Sequence, residues 1–152
     1  MSPVVVVPTE PVHAEFVAAY IRREDAAECQ AMGMTPREAI VQAVNASMIA
    51  ETALVFGTPA ACWGLVPGTL LGGNAAVWML TTDEARRHPK ALLRLSRQFV
   101  QECLTLYSTL ECLTDLRYHQ AVRWVQWLGF RETHIVPSRD AAMRRFEITR
   151  ED

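Results

Sequence analysis

The sequence predicts an α/β fold in which helices flank a mixed, mostly antiparallel central sheet. Short apolar runs separated by glycine or proline turns indicate antiparallel hairpins. A long amphipathic pattern between two further apolar runs indicates a helical crossover, which joins parallel strands. The 152 residues are 50% hydrophobic and 21% charged, so the chain fits one domain over residues 1–152.

The first third of the chain predicts one strand followed by helices. Val4 to Val7 is a β-branched run that suits a buried strand. Apolar residues at helical spacing from Phe16 to Ile21 lead into a charged helical stretch that continues to Gly33. A new helix is predicted at Thr35, which is followed by proline and then by Glu38 in the pattern of a capping box.

The remainder predicts hairpins around one helical crossover. Residues 51–56 and 60–66 flank the turn Gly57-Thr58-Pro59, and Gly72-Gly73-Asn74 precedes an apolar strand over 75–80. A long helix begins at Pro89, and five residues define its apolar stripe: Leu92, Ser96, Phe99, Cys103 and Leu106. A strand over 110–116, a helix over 118–128 and a closing hairpin over 131–136 and 143–148 complete the order.

Composition excludes several classes of function. The net charge of -2 gives no electrostatic case for a nucleic acid or a membrane surface. No apolar stretch approaches the roughly 20 residues of a membrane span, and the Val4 to Val7 run lacks the basic leader of a signal peptide. The four cysteines form no CxxC pair and no zinc spacing, so we expect buried free thiols, no metal and a cytoplasmic protein. His13 and His134 are predicted at the surface.

Several blocks in register resemble one family of proteins. They are Arg23-Glu24-Asp25, Gly33-Met34-Thr35-Pro36, the run from Trp78 to Asp83, the run from His88 to Arg94, and Trp127-Leu128-Gly129-Phe130. Together with the element order they resemble the GNAT acetyltransferase superfamily, in which a helix after the fifth strand closes with Gly-Phe. A narrower resemblance is to the GNAT-like internal virion protein family of short-tailed phages.

The resemblance implies acetyl-CoA as cofactor, held where the fourth and fifth strands splay apart. Family members bind its pyrophosphate on a loop that here corresponds to Arg86-Arg87-His88-Pro89-Lys90-Ala91. Proline replaces the first glycine of that loop, whereas Arg87 and Lys90 could contribute charge-assisted contacts. The backbone of Leu80, Thr81 and Thr82 is the expected partner on the fourth strand. The alternative for the loop is a solvated basic turn whose proline opens a helix.

The same resemblance makes the catalytic positions unusual. The tyrosine that protonates the leaving thiolate in many GNAT enzymes corresponds to Val125, which carries no exchangeable proton. Tyr118 and His119 at the start of the same helix are substitute candidates, with packing or capping as the alternative role, and packing is favoured for Tyr118. Candidates for a general base are Glu51, Asp83 and Asp115, with Asp83 also suited to capping a helix. Asp115 lies in an apolar strand, where the alternative is an ion pair with Arg117.

Two functions follow from this resemblance. The first is transfer of an acetyl group from acetyl-CoA to a small-molecule or protein amine. The second is a non-catalytic role in phage morphogenesis, in which the fold is kept as an interaction module and the partners are virion proteins. Location in the host cytoplasm or the virion goes with the phage resemblance. Trp124 and Trp127 lie on one helix, and one of them is expected to be exposed or to lie at a homo-oligomer interface.

Overall fold

The computed structural model describes residues 3–68, 74–133 and 142–151. Within these ranges the strands are β1 (Val4–Pro8), β2 (Ile49–Val55), β3 (Thr58–Pro67), β4 (Asn74–Thr81), β5 (Thr109–Asp115), β6 (Arg131–Glu132) and β7 (Met143–Thr149). They form one sheet in the spatial order β1, β2, β3, β4, β5, β7, β6, and only β4 and β5 pair in parallel. The predicted fold class is confirmed. The predicted Gly72-Gly73 turn, His134 and residues 134–136 of the closing hairpin lie outside the described residues.

Five α-helices surround this sheet in the described part of the chain: α1 (Pro11–Ala19), α2 (Arg23–Ala31), α3 (Pro36–Ala46), α4 (Pro89–Leu106) and α5 (His119–Trp127). A short 3-10 helix spans Asp83–Arg87 between β4 and α4. The start of α3 is as predicted, because Thr35 Oγ1 accepts the Glu38 N–H at 3.1 Å and the Glu38 carboxylate accepts the Thr35 N–H at 3.0 Å.

The stretch predicted as one continuous helix up to Gly33 is two helices. The helical pattern breaks after α1, where Ile21 forms an isolated antiparallel bridge with Thr82 and the Arg22 N–H donates to Thr81 O at 2.7 Å. The chain therefore docks on the end of β4 before α2 begins. The prediction that His13 is exposed is wrong, because its Nδ1 accepts the Glu10 N–H at 3.0 Å and the residue is 9% exposed.

The β2–β3 hairpin is tighter than the predicted three-residue turn. Its two central residues are Phe56 and Gly57, with φ of 47° and 84°. Two successive positive φ values define a type I′ turn, whose twist matches that of paired strands. Glycine adopts this conformation without strain, whereas the Cβ of Phe56 makes it unfavourable for that residue. The Phe56 ring lies at the tip of the turn and is 84% exposed.

The two faces of the sheet carry different cores because successive strand residues point to opposite sides. Trp78 and Leu80 of β4 pack with α1 and α3 in a cluster that includes Val17, Ile40 and Cys62. The opposite face packs against α4 and α5 in a larger cluster: Trp63, Leu65, Phe99, Val100, Cys103, Leu110, Phe130 and Phe146. The four cysteines are free, with Cys29, Cys62 and Cys103 buried and Cys112 half-buried. No helix in the described ranges is long and apolar enough to cross a bilayer.

The stripe predicted on α4 is confirmed except at its end. Leu92, Ser96, Phe99 and Cys103 are buried, but Leu106 is 54% exposed because it lies in the last turn, beyond the edge of the sheet. On α5, Trp124 donates its indole N–H to Ser96 Oγ at 3.1 Å. Trp127 is 50% exposed and the Arg97 guanidinium lies 5.1 Å from the centre of its ring.

Replacing Gly64 with alanine should destabilise the fold by about 1–3 kcal/mol, as overpacking of a filled site does. A Cβ there would lie 2.7 Å from Ser47 Oγ, 2.7 Å from Trp78 Nε1 and 2.8 Å from the carbonyl oxygen of Ile49. The carbonyl belongs to the neighbouring strand and cannot rotate away. Urea unfolding of both proteins measures the effect, and an unchanged midpoint would contradict the packing described here.

Candidate active site

The sheet opens where β4 and β5 run side by side. They pair only from Asn74 to Ala76 with Thr109 to Glu111, although both strands continue beyond these residues. β4 stays paired with β3 as far as Thr81, and β5 stays paired with β7 as far as Asp115. The outer neighbours therefore hold each strand straight while the inner edges diverge. The result is a gap in the middle of the sheet, with backbone groups facing it.

A cavity of about 150 Å³ occupies this gap, and we call it the slot. Its walls are mainly apolar side chains from β4, α4, α5 and the segment that follows α5: Val77, Met79, Phe99, Val100, Ala121, Val125, Leu128 and Phe130. Trp63 and Trp78 lie on opposite faces of the sheet and both line it, so the slot reaches both faces. At one end the lining turns polar, with Arg22, Asp25 and Glu28. We call this end the mouth.

Every second residue of β4 directs its backbone N–H and C=O groups towards the slot. Thr82 donates its N–H to Ala60 O of the β3 side at 2.8 Å, which fixes the phase of the antiparallel ladder. Leu80 consequently pairs with β3, while Val77, Met79 and Thr81 face the slot. The described part of β5 pairs with none of these three. Thr81 is already bonded to the α2 segment, and the last parallel pair, Ala76 with Glu111, uses the Val77 N–H. The open backbone groups are therefore the carbonyl of Val77 and the N–H and carbonyl of Met79.

The sequence predicted that the backbone of Leu80, Thr81 and Thr82 binds the cofactor. Leu80 and Thr82 direct their backbone groups to the β3 side, and the N–H of Thr81 donates to Asp25 Oδ2 at 2.7 Å. All three lie at the predicted end of β4, but their backbone groups have partners within the chain. Sequence patterns do not reveal this occupancy, because it depends on where α2 docks.

Helix α2 lies across the mouth and contacts both diverging strands. Asp25 is buried and accepts from the Thr81 N–H, from Thr81 Oγ1 at 2.6 Å and from Arg22 Nη2 at 2.9 Å. One turn later, Glu28 Oε1 accepts the backbone N–H of Asp115 on β5 at 3.4 Å. Residues three apart share one face of a helix, which is why the two carboxylates reach two different strands.

Glu28 is the carboxyl group whose protonation is most perturbed at the mouth. Burial raises its pKa from 4.5 to about 7, and the nearby charges of Asp25 and Asp115 add to this against the opposing hydrogen bond from the Asp115 N–H. Asp25, Glu24 and Asp115 each pair with an arginine. Within the described ranges Glu28 forms no ion pair. The sequence marked this stretch only as charged, and the spacing of Asp25 and Glu28 was the available signal.

Asp115 is fully buried and is held by Arg117. Its oxygens accept the Arg117 backbone N–H at 2.9 Å, Nε at 3.0 Å and Nη2 at 2.6 Å. The Arg117 side chain is the main cause of a lowered pKa for this carboxyl, with burial opposing it. This ion pair is the alternative that the sequence left open. Asp115 touches the site through its backbone contact with Glu28, while Thr114 beside it lines the slot.

The other catalytic candidates lie around the slot and do not line it. Tyr118 is half-buried at the N-cap of α5, and Asp83 is exposed in the 3-10 helix. Glu51 Oε1 accepts the Trp63 indole N–H at 3.2 Å, so it contacts the slot through that ring. Val125 does line the slot. The three predicted catalytic residues, Asp115, Tyr118 and Glu51, thus do not form one cluster in the slot.

The predicted phosphate loop leads into the first turn of α4. Arg86 pairs with Glu24 of α2, and Arg87 Nη1 lies 3.6 Å from Glu84 Oε2. Lys90 is exposed, whereas Ala91 packs on the core. Pro89 has no N–H, and the N–H groups of Lys90 and Ala91 have no acceptor in the described part of the chain. Two open donors with two flanking cations make this helix end suited to an anion.

A metal centre is not supported here, since the described residues contain no cluster of three His, Cys, Asp or Glu side chains placed to hold an ion. The slot also contains Cys112, whose thiol pKa is raised to about 12 mainly by burial. A thiol of that kind stays protonated and is a poor nucleophile.

A parallel pair that splays, an apolar slot and an open helix end define the class: this is the fold of the GNAT acetyltransferases. Aminoglycoside 6'-acetyltransferase type Ii superposes with a TM-score of 0.72 at 18% identity, covering 95% of this chain and 96% of that one. AAC(6')-Ib in complex with ribostamycin and coenzyme A gives 0.70 at 13% identity, covering 99% and 94%. The GNAT domain of S. lividans PAT gives 0.68 at 14% identity, covering 95% and 89%. No protein-family model and no curated protein matches the sequence.

Proposed function

We propose that this protein is an acetyl-CoA-dependent N-acetyltransferase that acts on an amine. The observation that carries the proposal is the divergence of β4 from β5 beyond Ala76 and Glu111, which opens an apolar slot lined by unpaired backbone. A sheet interior is normally closed by strand pairing, because unpaired backbone groups are costly to bury. A gap of this kind is best explained by a ligand that takes the place of a strand.

The residues present fit acetyl-CoA along its length. Its pantetheine arm is narrow and carries amides, which suits the apolar walls and the open backbone groups of Val77 and Met79. The pyrophosphate suits the Lys90 and Ala91 N–H groups together with the Arg87 and Lys90 side chains. We assign Arg86 a smaller part because Glu24 already pairs with it. Acetyl-CoA supplies an activated acetyl thioester.

An amine acceptor is supported by charge at the mouth. Asp25 and Glu28 of α2 contribute two carboxylates there against the single guanidinium of Arg22. This excess of negative charge favours an acceptor that carries an ammonium group, on a small molecule or on a protein. Ribostamycin, the ligand of one structural neighbour, is an amine of this kind and is a suitable probe.

Calorimetric titration with acetyl-CoA tests the proposal, and we expect one binding site in the micromolar range, about -8 kcal/mol. Ala121→Trp places an indole in the slot and should weaken binding at least tenfold, because Ala121 lines that cavity. Gln126→Trp introduces the same ring on the exposed face of the same helix and should bind like the wild type. Absence of binding to the wild type at millimolar acetyl-CoA would overturn the proposal.

One observation favours the second function, a non-catalytic protein that keeps the fold as an interaction module. Val125 lines the slot at the position where the resembled enzymes place an acid, and it has no proton to give. This function goes with the proposed relation to internal virion proteins of short-tailed phages, with virion partners and with location in the host cytoplasm or virion. It predicts that purified protein acetylates no amine even when acetyl-CoA binds, whereas measurable transfer to ribostamycin would exclude it.

A further inference from the structure

The mouth contains one carboxylate that the protein itself does not neutralise. Asp25 is bonded to Arg22 and to two groups of Thr81, so its oxygens are engaged. Asp115 is engaged by Arg117 in the same way. Glu28 receives a single contact of 3.4 Å from a backbone N–H, and no cation pairs with it in the described ranges. Its side chain lines the slot from α2.

We propose that Glu28 is the general base that accepts the proton of the acceptor ammonium. The inference rests on the proposed function, since it assumes that the slot holds an acetyl thioester. Geometry supports it in two ways. Glu28 reaches the slot at its polar end, where an amine can enter without crossing the apolar walls. The Asp115 N–H orients one oxygen, which leaves the other for a ligand.

The Glu28 carboxylate takes one proton from the ammonium, and this frees the nitrogen lone pair. The lone pair forms the C–N bond with the acetyl carbon while the C–S bond of the thioester breaks, and the electron pair of that bond leaves on sulfur. The second amine proton goes to this sulfur, and Glu28 later returns its own proton to water. The net change is one ammonium and one thioester giving an amide, a thiol and a proton.

The charges around Glu28 set the pH at which it works. On and beside its own helix these are Arg22, Asp25 and Cys29, and from β5 they are Cys112 and Asp115. The two aspartates and burial favour the protonated form, and Arg22 opposes them. A base is most effective when its pKa lies near the working pH, and a carboxyl of ordinary pKa would be too weak to take a proton from an ammonium.

The first test measures the carboxyl directly. Carbon NMR of protein with labelled glutamate side chains should show one resonance that titrates near pH 7 and is absent from Glu28→Gln. Ethylamine at tens of millimolar, used as a minimal ammonium probe, should lower that midpoint, because a cation favours the charged carboxylate. A Glu28 midpoint near 4.5, or one that ethylamine leaves unchanged, would overturn the assignment.

The second test measures transfer of the acetyl group to ethylamine between pH 5.5 and 9. Glu28→Gln should lower the rate at pH 8 by about 100-fold or more, within the range known for general bases. The ratio of wild-type to variant rates cancels the ionisation of the amine in solution, and it should rise with pH up to about 7 and then level off. Glu102→Gln, an exposed carboxylate of α4, should match the wild type.

Failure of this inference is separable from failure of the proposed function. Glu28→Gln should bind acetyl-CoA as the wild type does, since the proposed phosphate donors are the N–H groups of Lys90 and Ala91 and the Arg87 and Lys90 side chains, none of which bonds to Glu28 in the described part of the chain. If the wild type does not bind acetyl-CoA, the proposed function fails. If both proteins bind it and the variant transfers acetyl groups at the wild-type rate with the same pH profile, the enzyme stands and the role of Glu28 is wrong.

Discussion

Val125→Tyr is expected to raise the turnover number for ethylamine acetylation by about tenfold or more. Val125 lines the slot from α5, so a phenol there would enter the cavity in which the proposed function places the thioester. A tyrosine hydroxyl of pKa about 10 stays protonated at neutral pH and can donate to a thiolate. A positioned acid contributes about 10² to 10⁴ in rate, and the lower expectation allows for an unoptimised geometry.

Val125→Phe is the matched control for this substitution. It adds the same ring without the hydroxyl, so it reports the cost of filling part of a slot of about 150 Å³. We expect Phe to leave the rate at or below that of the wild type. Thiol release under saturating acetyl-CoA separates the two variants, and equal rates for Tyr and Phe would show that the missing acid does not limit this protein.

Glu28→Gln is expected to make the folded protein more stable at pH 8, by as much as about 3 kcal/mol. The folded-state pKa of about 7 lies above the ordinary value of 4.5, so the folded protein binds a proton more tightly than the unfolded chain. The contribution of Glu28 to the free energy of unfolding is then fully present below pH 4.5 and is lost as the pH rises towards 7. At 1.36 kcal/mol for each pH unit of difference, about 3 kcal/mol is an upper value, because part of the carboxyl reaches solvent.

Urea unfolding of both proteins at pH 4, 6 and 8 measures this effect as a difference. The difference should be near zero at pH 4 and should grow to its full size by pH 8. Asp115 titrates in the opposite sense, since its lowered pKa contributes stability that is lost in acid. That contribution is common to both proteins and cancels. Equal stabilities at pH 8 would show that Glu28 is solvated like any surface carboxyl. If Glu28→Gln is more stable than the wild type and less active, then Glu28 lowers the stability of the fold and is needed for function.

Local patterns predicted the architecture well because periodicity and turn residues act within a few positions. Gly57, Thr35 and Pro89 each marked the turn or helix start that the structure has, and Gly129 ends α5 with a φ of 106° that favours glycine. The break at Ile21 was missed because a long-range bridge with Thr82 overrides a helical pattern. Propensity yields to tertiary contacts of this kind.

The site was harder to predict for the same reason. Glu28 became a candidate only when α2 docked over the gap, so neither its burial nor its lack of a cation is visible in the local sequence. Asp115 attracted attention as a charge in an apolar strand, and the structure gives it an arginine two residues away. The sequence therefore drew attention to Asp115, whose charge is neutralised by an arginine. The carboxyl with the raised pKa, Glu28, lies in a helix whose sequence is ordinary.

The attachment of α2 has a consequence for how the range of acceptors could change. The helix is nine residues long and reaches the two strands through side chains, Asp25 to β4 and Glu28 to β5. In the described part of the chain α2 forms no strand pairs, so we expect its exposed positions to tolerate substitution while the sheet and the slot stay intact. Replacing the exposed residues of α2 with those of another GNAT-fold protein, with Asp25 and Glu28 retained, should therefore change the acceptor preference of the proposed enzyme. In the proposed enzyme, a single helix would then decide which amine is acetylated, independently of the cofactor slot.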